Sequence, residues 1–346
     1  MKLLILDPRR GEHRTDLFIL KKGVPHLEQM PLGYVPELHY DRANHEIVIV
    51  ETELKQNNTD KNRYWLKSYS ADDLELLFQR ETPVRPMYTG YPGRSTHVKS
   101  SKSGRFLYFL ESTVHPHAIE IYRLIVHRYD REKDELQTSR IKIDSCMIDF
   151  DQYGDDEDQL CFHLSCEFPS VVAFGNFHSE KLELLDLENL PTRTHGPKET
   201  CGSWFSKNEN ALYCITGEGA IHKVNLRQKQ AELLIRLPLS EENFVPLQQI
   251  CMADTNLLVG VSAGIEERGL SVASSIWRIS SDDGEILHQY DLPFPVMNFI
   301  ATSDNQLIFG VSPYEKAVIA IEIESGKVFQ LKDEIGLTPA ELLMIS

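Results

Sequence analysis

Residues 200–238 read TCGSWFSKNENALYCITGEGAIHKVNLRQKQAELLIRLP, four short apolar segments separated by polar turns. The segments are 203–205, 211–215, 221–226 and 233–237. Short β-type segments joined by tight turns predict a four-stranded antiparallel meander. The second segment, Ala211 to Ile215, is apolar at every position, which indicates a strand that is covered on both faces.

Runs of this kind recur along the whole chain. They are Leu3–Leu6, Glu46–Val50, Phe106–Leu110, Leu160–Leu164, Ala211–Ile215, Leu257–Val261 and Leu307–Val311. Their spacing of about 50 residues is typical of propeller blades. A sandwich of two sheets would show alternating apolar and polar residues instead. The sequence therefore predicts an all-β fold, a seven-bladed β-propeller of the YVTN or quinoprotein-like type.

The first predicted blade lacks its innermost strand. Leu3–Asp7, Leu17–Lys21 and His26–Met30 supply three strands, and the apolar segment Glu341–Ile345 can supply the fourth. Closure of the first blade by strands from both ends of the chain removes exposed sheet edges. Because no Pro-, Gly- or Ser-rich linker divides the sequence, we expect residues 1–346 to form a single propeller domain.

The composition is that of an acidic globular protein. Of the 346 residues 41% are hydrophobic, and the formal net charge is −16 at pH 7. Nucleic acids and anionic membranes select for Lys and Arg patches, so we expect neither as the main partner. The apolar start is ended by Asp7 and Pro8, which is too early for a signal peptide. A cytoplasmic protein is expected, or a periplasmic one if the natural chain begins before Met1.

Several motifs suggest a known family. The strand Gly219–Leu226 reads GAIHKVNL, and the turn Ser281–Leu287 reads SDDGEIL. Further motifs are Gly90-Tyr91-Pro92 and Gln248-Gln249-Ile250. Together they resemble the heavy-chain family of quinoprotein amine dehydrogenases, such as methylamine and aralkylamine dehydrogenase. The resemblance runs through the whole chain in order, and Cys146 and Cys166 stand where that family has a disulfide pair.

The resemblance implies a propeller subunit without its own catalytic group. In that family the tryptophan tryptophylquinone cofactor belongs to a separate small subunit, which the propeller docks while it shapes the substrate channel. The resemblance therefore implies no cofactor in this chain and a small catalytic subunit as partner. The family is exported and has an extension before the first blade, whereas this sequence begins directly with a strand.

The usual sequence signatures of metal and nucleophile chemistry are missing. None of the six cysteines forms a CxxC pair. His115 and His117 on a long loop lack a third ligand, and the acidic turn Asp155–Asp158 lacks calcium-loop spacing, so we expect no metal site. No G-x-S-x-G, H-E-x-x-H or phosphate-binding glycine loop occurs.

A ligand of a propeller binds where the inner strands begin, at the mouth of the central channel. The segments that lead into these strands supply Glu37, His39, Arg94, His97, Asp149, Trp204, Gln249 and Asn298. We expect His97 and Asp149 to be the acid–base pair, and Trp204 to be a platform for an aromatic or cationic ligand. The structural alternative is that Asp149 and Asn298 bind backbone groups and that Trp204 belongs to the core.

Two functions follow from this sequence. One is a non-catalytic propeller subunit like the amine dehydrogenase heavy chain, which binds a protein partner. The other is a cytoplasmic enzyme that uses the central funnel for acid–base chemistry on a small amine-bearing or aromatic substrate.

The oxidation state of the cysteines distinguishes a cytoplasmic protein from an exported one. We expect free thiols because disulfides are rare in the cytoplasm. Titration of the denatured protein, prepared without reductant, should then detect nearly all six cysteines. Detection of only two to four would instead support an exported protein with the family's disulfide pair.

Overall fold

The computed structural model describes most of the predicted strands and the turns between them. The described residues are 2–9, 14–21, 28–32, 38–53, 63–82, 98–114, 122–144, 147–166, 168–187, 200–206, 209–240, 242–246, 250–263, 272–302, 304–312, 315, 317–331 and 341–345. Among these residues no helix has the length and hydrophobicity that a bilayer crossing requires.

Within these ranges the strands form seven antiparallel sheets, numbered along the chain. Sheet 1 contains β1 (Lys2–Arg9), β2 (Arg14–Lys21), β3 (Glu28–Leu32) and β30 (Glu341–Ile345); sheet 2 contains β4 (His39–Asp41), β5 (Glu46–Glu53), β6 (Arg63–Ser70) and β7 (Leu76–Thr82); sheet 3 contains β8 (Val98–Ser100), β9 (Phe106–Val114), β10 (Tyr122–Asp130), β11 (Glu135–Thr138) and β12 (Ile143–Asp144).

The other four sheets follow the same plan. Sheet 4 contains β13 (Met147–Gln152), β14 (Gln159–Cys166), β15 (Phe168–Asn176) and β16 (Leu182–Asp186); sheet 5 contains β17 (Thr200–Ser206), β18 (Ala211–Thr216), β19 (Ala220–Asn225) and β20 (Gln230–Arg236); sheet 6 contains β21 (Asn243–Phe244), β22 (Ile250–Ala253), β23 (Asn256–Ala263), β24 (Ala273–Ser280) and β25 (Ile286–Val296); sheet 7 contains β26 (Asn298–Ala301), β27 (Leu307–Ser312), β28 (Ala317–Glu322) and β29 (Val328–Leu331).

Apolar side chains of the described residues fill seven cores, one between each two neighbouring sheets in cyclic order. Sheets 7 and 1 close the circle through Phe309 and Ile5. The strands β4, β8, β13, β17, β22, β26 and β30 form the inner edge, since strands of this set contact one another between sheets. The predicted all-β propeller is therefore confirmed, and the seven sheets agree with seven blades.

The circle is closed by strands from opposite ends of the sequence, as predicted. β1 pairs with β30 in an antiparallel register that runs from Lys2 opposite Ile345 to Leu6 opposite Glu341. The Lys2 ammonium also donates a hydrogen bond of 2.7 Å to the carbonyl of Ala71 in sheet 2. That residues 1–346 make a single domain stays a prediction.

One recurring backbone hydrogen bond identifies equivalent positions in the sheets. In sheet 5 the N–H of Leu226 donates to the carbonyl of Asn210, the residue before β18. The same bond is accepted in sheets 2, 3, 4, 6 and 7 by His45, Arg105, Asp158, Thr255 and Gln306. The second strands of sheets 4 and 6 therefore begin, like Ala211 in sheet 5, at Gln159 and Asn256.

The structure thereby corrects the matching of the apolar runs Leu160–Leu164 and Leu257–Val261 with the run Ala211–Ile215. Their first position is polar, so the apolar runs that begin at Leu160 and Leu257 are displaced by one residue from the run at Ala211. Because successive residues of a strand point to opposite faces, this displacement exchanges the faces. Phe162 accordingly packs toward sheet 3, and Cys161 packs toward sheet 5.

Deletion of residues 336–346 tests the closure. The loss of β30 leaves the inner edge of β1 without its hydrogen-bonded partner, and we expect the melting temperature to fall by about 5 °C or more. Deletion of Ser346 alone is the control, since it leaves the β1–β30 pairing intact. An unchanged melting temperature in the longer deletion would contradict closure by β30.

Candidate functional site

Four equivalent inner-strand positions carry polar or aromatic side chains: His39, Lys99, Asp151 and Trp204. Each lies opposite the third residue of its neighbouring second strand, which is Val48, Tyr108, Cys161 or Tyr213. Since equivalent positions of a propeller lie at the same height around the axis, these residues belong to one level of the channel wall.

An ion pair joins Lys99 of this level in sheet 3 to Asp149 of sheet 4, which lies two residues before Asp151 on the inner strand. The Lys99 ammonium lies 3.4 Å from Asp149 Oδ1, and the two side chains are only 16% and 11% exposed. The same carboxylate oxygen accepts a hydrogen bond of 2.7 Å from the N–H of Phe150. Burial of two charges costs free energy unless they are paired and hydrogen-bonded, so the contact holds both groups in a defined position.

His39 has a structural role in the inner wall. Its Nε2 accepts a hydrogen bond of 2.8 Å from the N–H of Ser100 and lies 3.0 Å from the Ser100 hydroxyl. An Nε2 atom that accepts from a backbone N–H is already used to hold β4 against β8. His39 therefore joins sheets 2 and 3, and it is a weaker candidate for ligand binding than Asp149.

Trp204 lies on the inner strand of sheet 5, which neighbours sheet 4 on the side opposite to sheet 3. Its partly buried side chain packs against the core between sheets 5 and 6 and also against the core between sheets 6 and 7. A side chain from sheet 5 reaches both cores only by passing the inner edge of sheet 6. The indole therefore lies along the inner edge of sheet 6, and its role as a ligand platform stays a prediction.

Asn298 is the remaining described candidate. It is buried opposite Val311, and its Nδ2 has no hydrogen-bond acceptor among the described residues. The predicted residues Glu37, Arg94, His97 and Gln249 lie outside the described residues, so their roles stay predictions. The structure thus brings together Asp149 with Lys99, which the sequence analysis had not selected, and it provides Trp204 on the inner strand of the next sheet.

His163 is a second residue that sequence reasoning missed. It lies opposite Asp149 in the β13–β14 pair and is completely buried. Burial lowers the pKa of its imidazole to about 3. The signal in the sequence was a histidine inside the apolar run of β14, at the position where β9 has Leu110 and β18 has Ile215.

Cysteine side chains surround this part of the site. Cys161 and Cys214 are buried free thiols in the core between sheets 4 and 5. Burial raises the pKa of both thiols, and the negative charge of Asp149 raises both further. Both thiols are therefore protonated at neutral pH.

The described residues do not contain three or more His, Cys, Asp or Glu side chains arranged to hold a metal ion. In the acidic turn Asp155 is 90% exposed and pairs with Lys102 of sheet 3 at 3.2 Å, whereas Asp158 pairs with the buried Arg128. His115 and His117 lie outside the described residues.

The channel wall is polar where sheets 3 and 4 meet, and sheet 5 adds an aromatic side chain to it. Lys99 can stabilise a negative charge, and Asp149 can accept a proton. The face of Trp204 can pack against an apolar or cationic surface of a small molecule. This combination suits a ligand that has both a flat apolar face and hydrogen-bonding groups.

Comparisons with known proteins support the fold and go no further. No protein-family profile matches the sequence, and no curated protein matches it. The chain is similar in structure to the periplasmic gluconolactonase PpgL of Pseudomonas aeruginosa, with a TM-score of 0.63, 13% identity and coverage of 100% of this chain and 99% of that one.

Two further solved structures are similar over most of their length. A candidate 6-phosphogluconolactonase of Bacteroides fragilis has a TM-score of 0.55 and 10% identity, covering 100% and 98% of the two chains. The β-propeller domain of Myceliophteria thermophila Swd1 has a TM-score of 0.54 and 10% identity, covering 85% and 84%. These similarities establish the propeller fold, whereas membership of the amine dehydrogenase heavy-chain family is not established by them.

The burial of His163 predicts a pH dependence of stability. An unfolded histidine titrates near 6.5, whereas burial lowers the folded pKa to about 3. The unfolded state alone therefore gains a proton as the pH falls below 6.5, and the folded state loses about 2 kcal/mol by pH 5. Urea unfolding at pH 7 and pH 5 should show this loss in the natural protein.

The His163→Leu variant is the matched comparison, because leucine fills the equivalent position in sheet 3. Its free energy of unfolding should decline less than that of the natural protein between pH 7 and pH 5, by about 2 kcal/mol. Identical declines in the two proteins would mean that His163 is protonated as easily in the folded state as in the unfolded state.

Proposed function

We propose that this protein is an enzyme that uses the mouth of the propeller channel for acid–base chemistry on a small ring-shaped substrate. The observation that carries the proposal is the 3.4 Å ion pair between Lys99 and Asp149 on the inner wall. Trp204, on the inner strand of the next sheet, adds an aromatic side chain at the inner edge of sheet 6. A paired carboxylate and ammonium provide reactive groups, and an aromatic side chain on the same wall provides a binding surface.

The substrate class we propose is a sugar lactone. Two of the structural neighbours are named for activity on gluconolactone or 6-phosphogluconolactone, which makes lactone hydrolysis the first reaction to test. A sugar ring suits this wall because its C–H face can pack on the Trp204 indole while its hydroxyls bind polar groups. The reaction needs no cofactor in this chain.

The chemistry divides between the two charged groups. Asp149 accepts a proton from water as the water oxygen bonds to the lactone carbonyl carbon, and Lys99 stabilises the resulting oxyanion. The ring C–O bond then breaks, and the proton passes to the leaving oxygen, giving a hydroxy acid. Amine-bearing or aromatic small molecules, which the same wall can bind through Trp204, are the second class of substrate to test.

A partner-binding role, as in the amine dehydrogenase heavy chain, is the second candidate function. It is favoured by large apolar side chains exposed on the outer strands, among which Leu77 is 55% and Leu184 is 62% exposed. A small catalytic subunit is the partner that the family resemblance suggests. Absence of turnover together with co-purification of such a subunit would favour this second role.

Replacement of Asp149 by Asn tests the enzymatic role. Hydrolysis of glucono-δ-lactone, followed by acid release at constant pH, should fall by about 100-fold or more because the base is removed. Trp204→Ala should mainly raise KM, since it removes binding surface. His97→Ala should also lower turnover or weaken ligand binding if the predicted role of His97 holds.

The matched control is Asp155→Asn. Asp155, like Asp149, is an aspartate of sheet 4 paired with a lysine of sheet 3, but it lies in an exposed turn. We expect this variant to keep natural turnover and melting temperature. If Asp149→Asn kept full turnover, or lost several degrees of melting temperature without any change in turnover or binding, Asp149 would be a structural residue.

A further inference from the structure

His163 occupies a position that is apolar in the equivalent strands. Counted from the recurring hydrogen bond, it is the fifth residue of its strand, and sheets 2, 3, 5, 6 and 7 place there Val50, Leu110, Ile215, Gly260 and Val311. An imidazole at such a position costs desolvation free energy that an aliphatic side chain avoids. Packing alone therefore does not explain the histidine.

Two buried polar groups at this place have no hydrogen-bond partner among the described residues. They are the imidazole of His163, at both ring nitrogens, and the hydroxyl of Ser203. Buried polar groups in folded proteins are nearly always hydrogen-bonded to protein or to ordered water. These two groups consequently point to a bound molecule that both donates and accepts hydrogen bonds.

The strand register places the two groups across the same gap. His163 follows Cys161 by two residues, so both point from sheet 4 toward sheet 5. Ser203 lies opposite Cys214, whose side chain shares that core with Cys161. Ser203 therefore faces sheet 4, at the inner edge of sheet 5.

Asp149 completes the arrangement from the channel side. It lies opposite His163 and hence on the same face of sheet 4. Its carboxylate also reaches Lys99 on the inner wall, at 3.4 Å. The carboxylate thus connects the channel with the gap between sheets 4 and 5.

We propose that His163, Ser203 and Asp149 bind one ordered water molecule at the inner edge of this gap, and that this water is the nucleophile of the hydrolysis. The role of the water rests on the proposed function, whereas its binding site does not. The neutral imidazole offers one N–H donor and one acceptor nitrogen, and the serine hydroxyl offers both.

These groups orient the water for reaction. With His163 and Ser203 holding it, one O–H of the water points to Asp149, and a lone pair is free for the substrate carbon. As the new C–O bond forms, the proton moves to Asp149, and it later passes to the ring oxygen as the old C–O bond breaks. No oxidant or further reactant is required.

A crystal structure that resolves ordered solvent tests the binding site directly. We expect a water within hydrogen-bond distance of the His163 ring, the Ser203 hydroxyl and the Asp149 carboxylate in the natural protein. The same site should lose its water in Ser203→Ala. A dry site in the natural protein overturns the proposal, whatever the activity.

Kinetics of the same variants test the role of the water. Ser203→Ala should lower kcat about tenfold, the effect of one hydrogen bond, with little change in KM. His163→Leu should lower kcat at least as much, and leucine at this position matches sheet 3. Ser206→Ala is the control, because Ser206 is a buried serine of the same strand whose hydroxyl contacts Glu209 N–H instead.

The outcomes separate the two proposals. If the water is present and Ser203→Ala removes it without changing kcat, the water is structural and its role as nucleophile is wrong. If the water is present but the natural protein hydrolyses no lactone, the binding site stands and the proposed function fails.

Discussion

Face-to-face packing of apolar sheets is the constraint on which this structure depends. Each described sheet is covered on both faces by its neighbours, so the strands near the centre have no face left for solvent. Polar groups that meet solvent are thereby concentrated at inner edges, turns and connecting loops. Charged side chains such as Lys99 and Asp149 are tolerated on the wall because contact with the channel and with each other offsets their desolvation cost.

The wall of the channel is consequently asymmetric although the fold repeats. At equivalent positions sheet 2 has a histidine, sheet 3 a lysine, sheet 4 an aspartate and sheet 5 a tryptophan. His39 serves the packing of its neighbour, and Lys99 and Trp204 each reach around the inner edge of the next sheet. A repeat that is uniform in its core can therefore carry a site that is confined to three adjacent sheets.

The fold could be predicted from the sequence because apolar runs such as Ala211–Ile215 recur with polar turns between them. The inner-edge location of Asp149 and Trp204 followed from the same logic. The pairing with Lys99 could not be predicted, since it joins two sheets through side-chain conformation. His163 was missed because the polar Gln159 hid the true start of β14, and with it the face to which the histidine points.

Because β1 pairs with β30, the two ends of the chain lie side by side, and the fold does not require the chain to begin in sheet 1. Lys2 and Ile345 lie opposite each other in neighbouring strands, with Cα atoms about 5 Å apart. A short peptide can bridge that distance, and the chain can then be opened at another tight turn without moving any sheet. Circular permutants of this kind keep the site as long as sheets 3, 4 and 5 remain neighbours. The N-terminus of the protein can therefore move from one sheet to another during evolution while the fold stays the same.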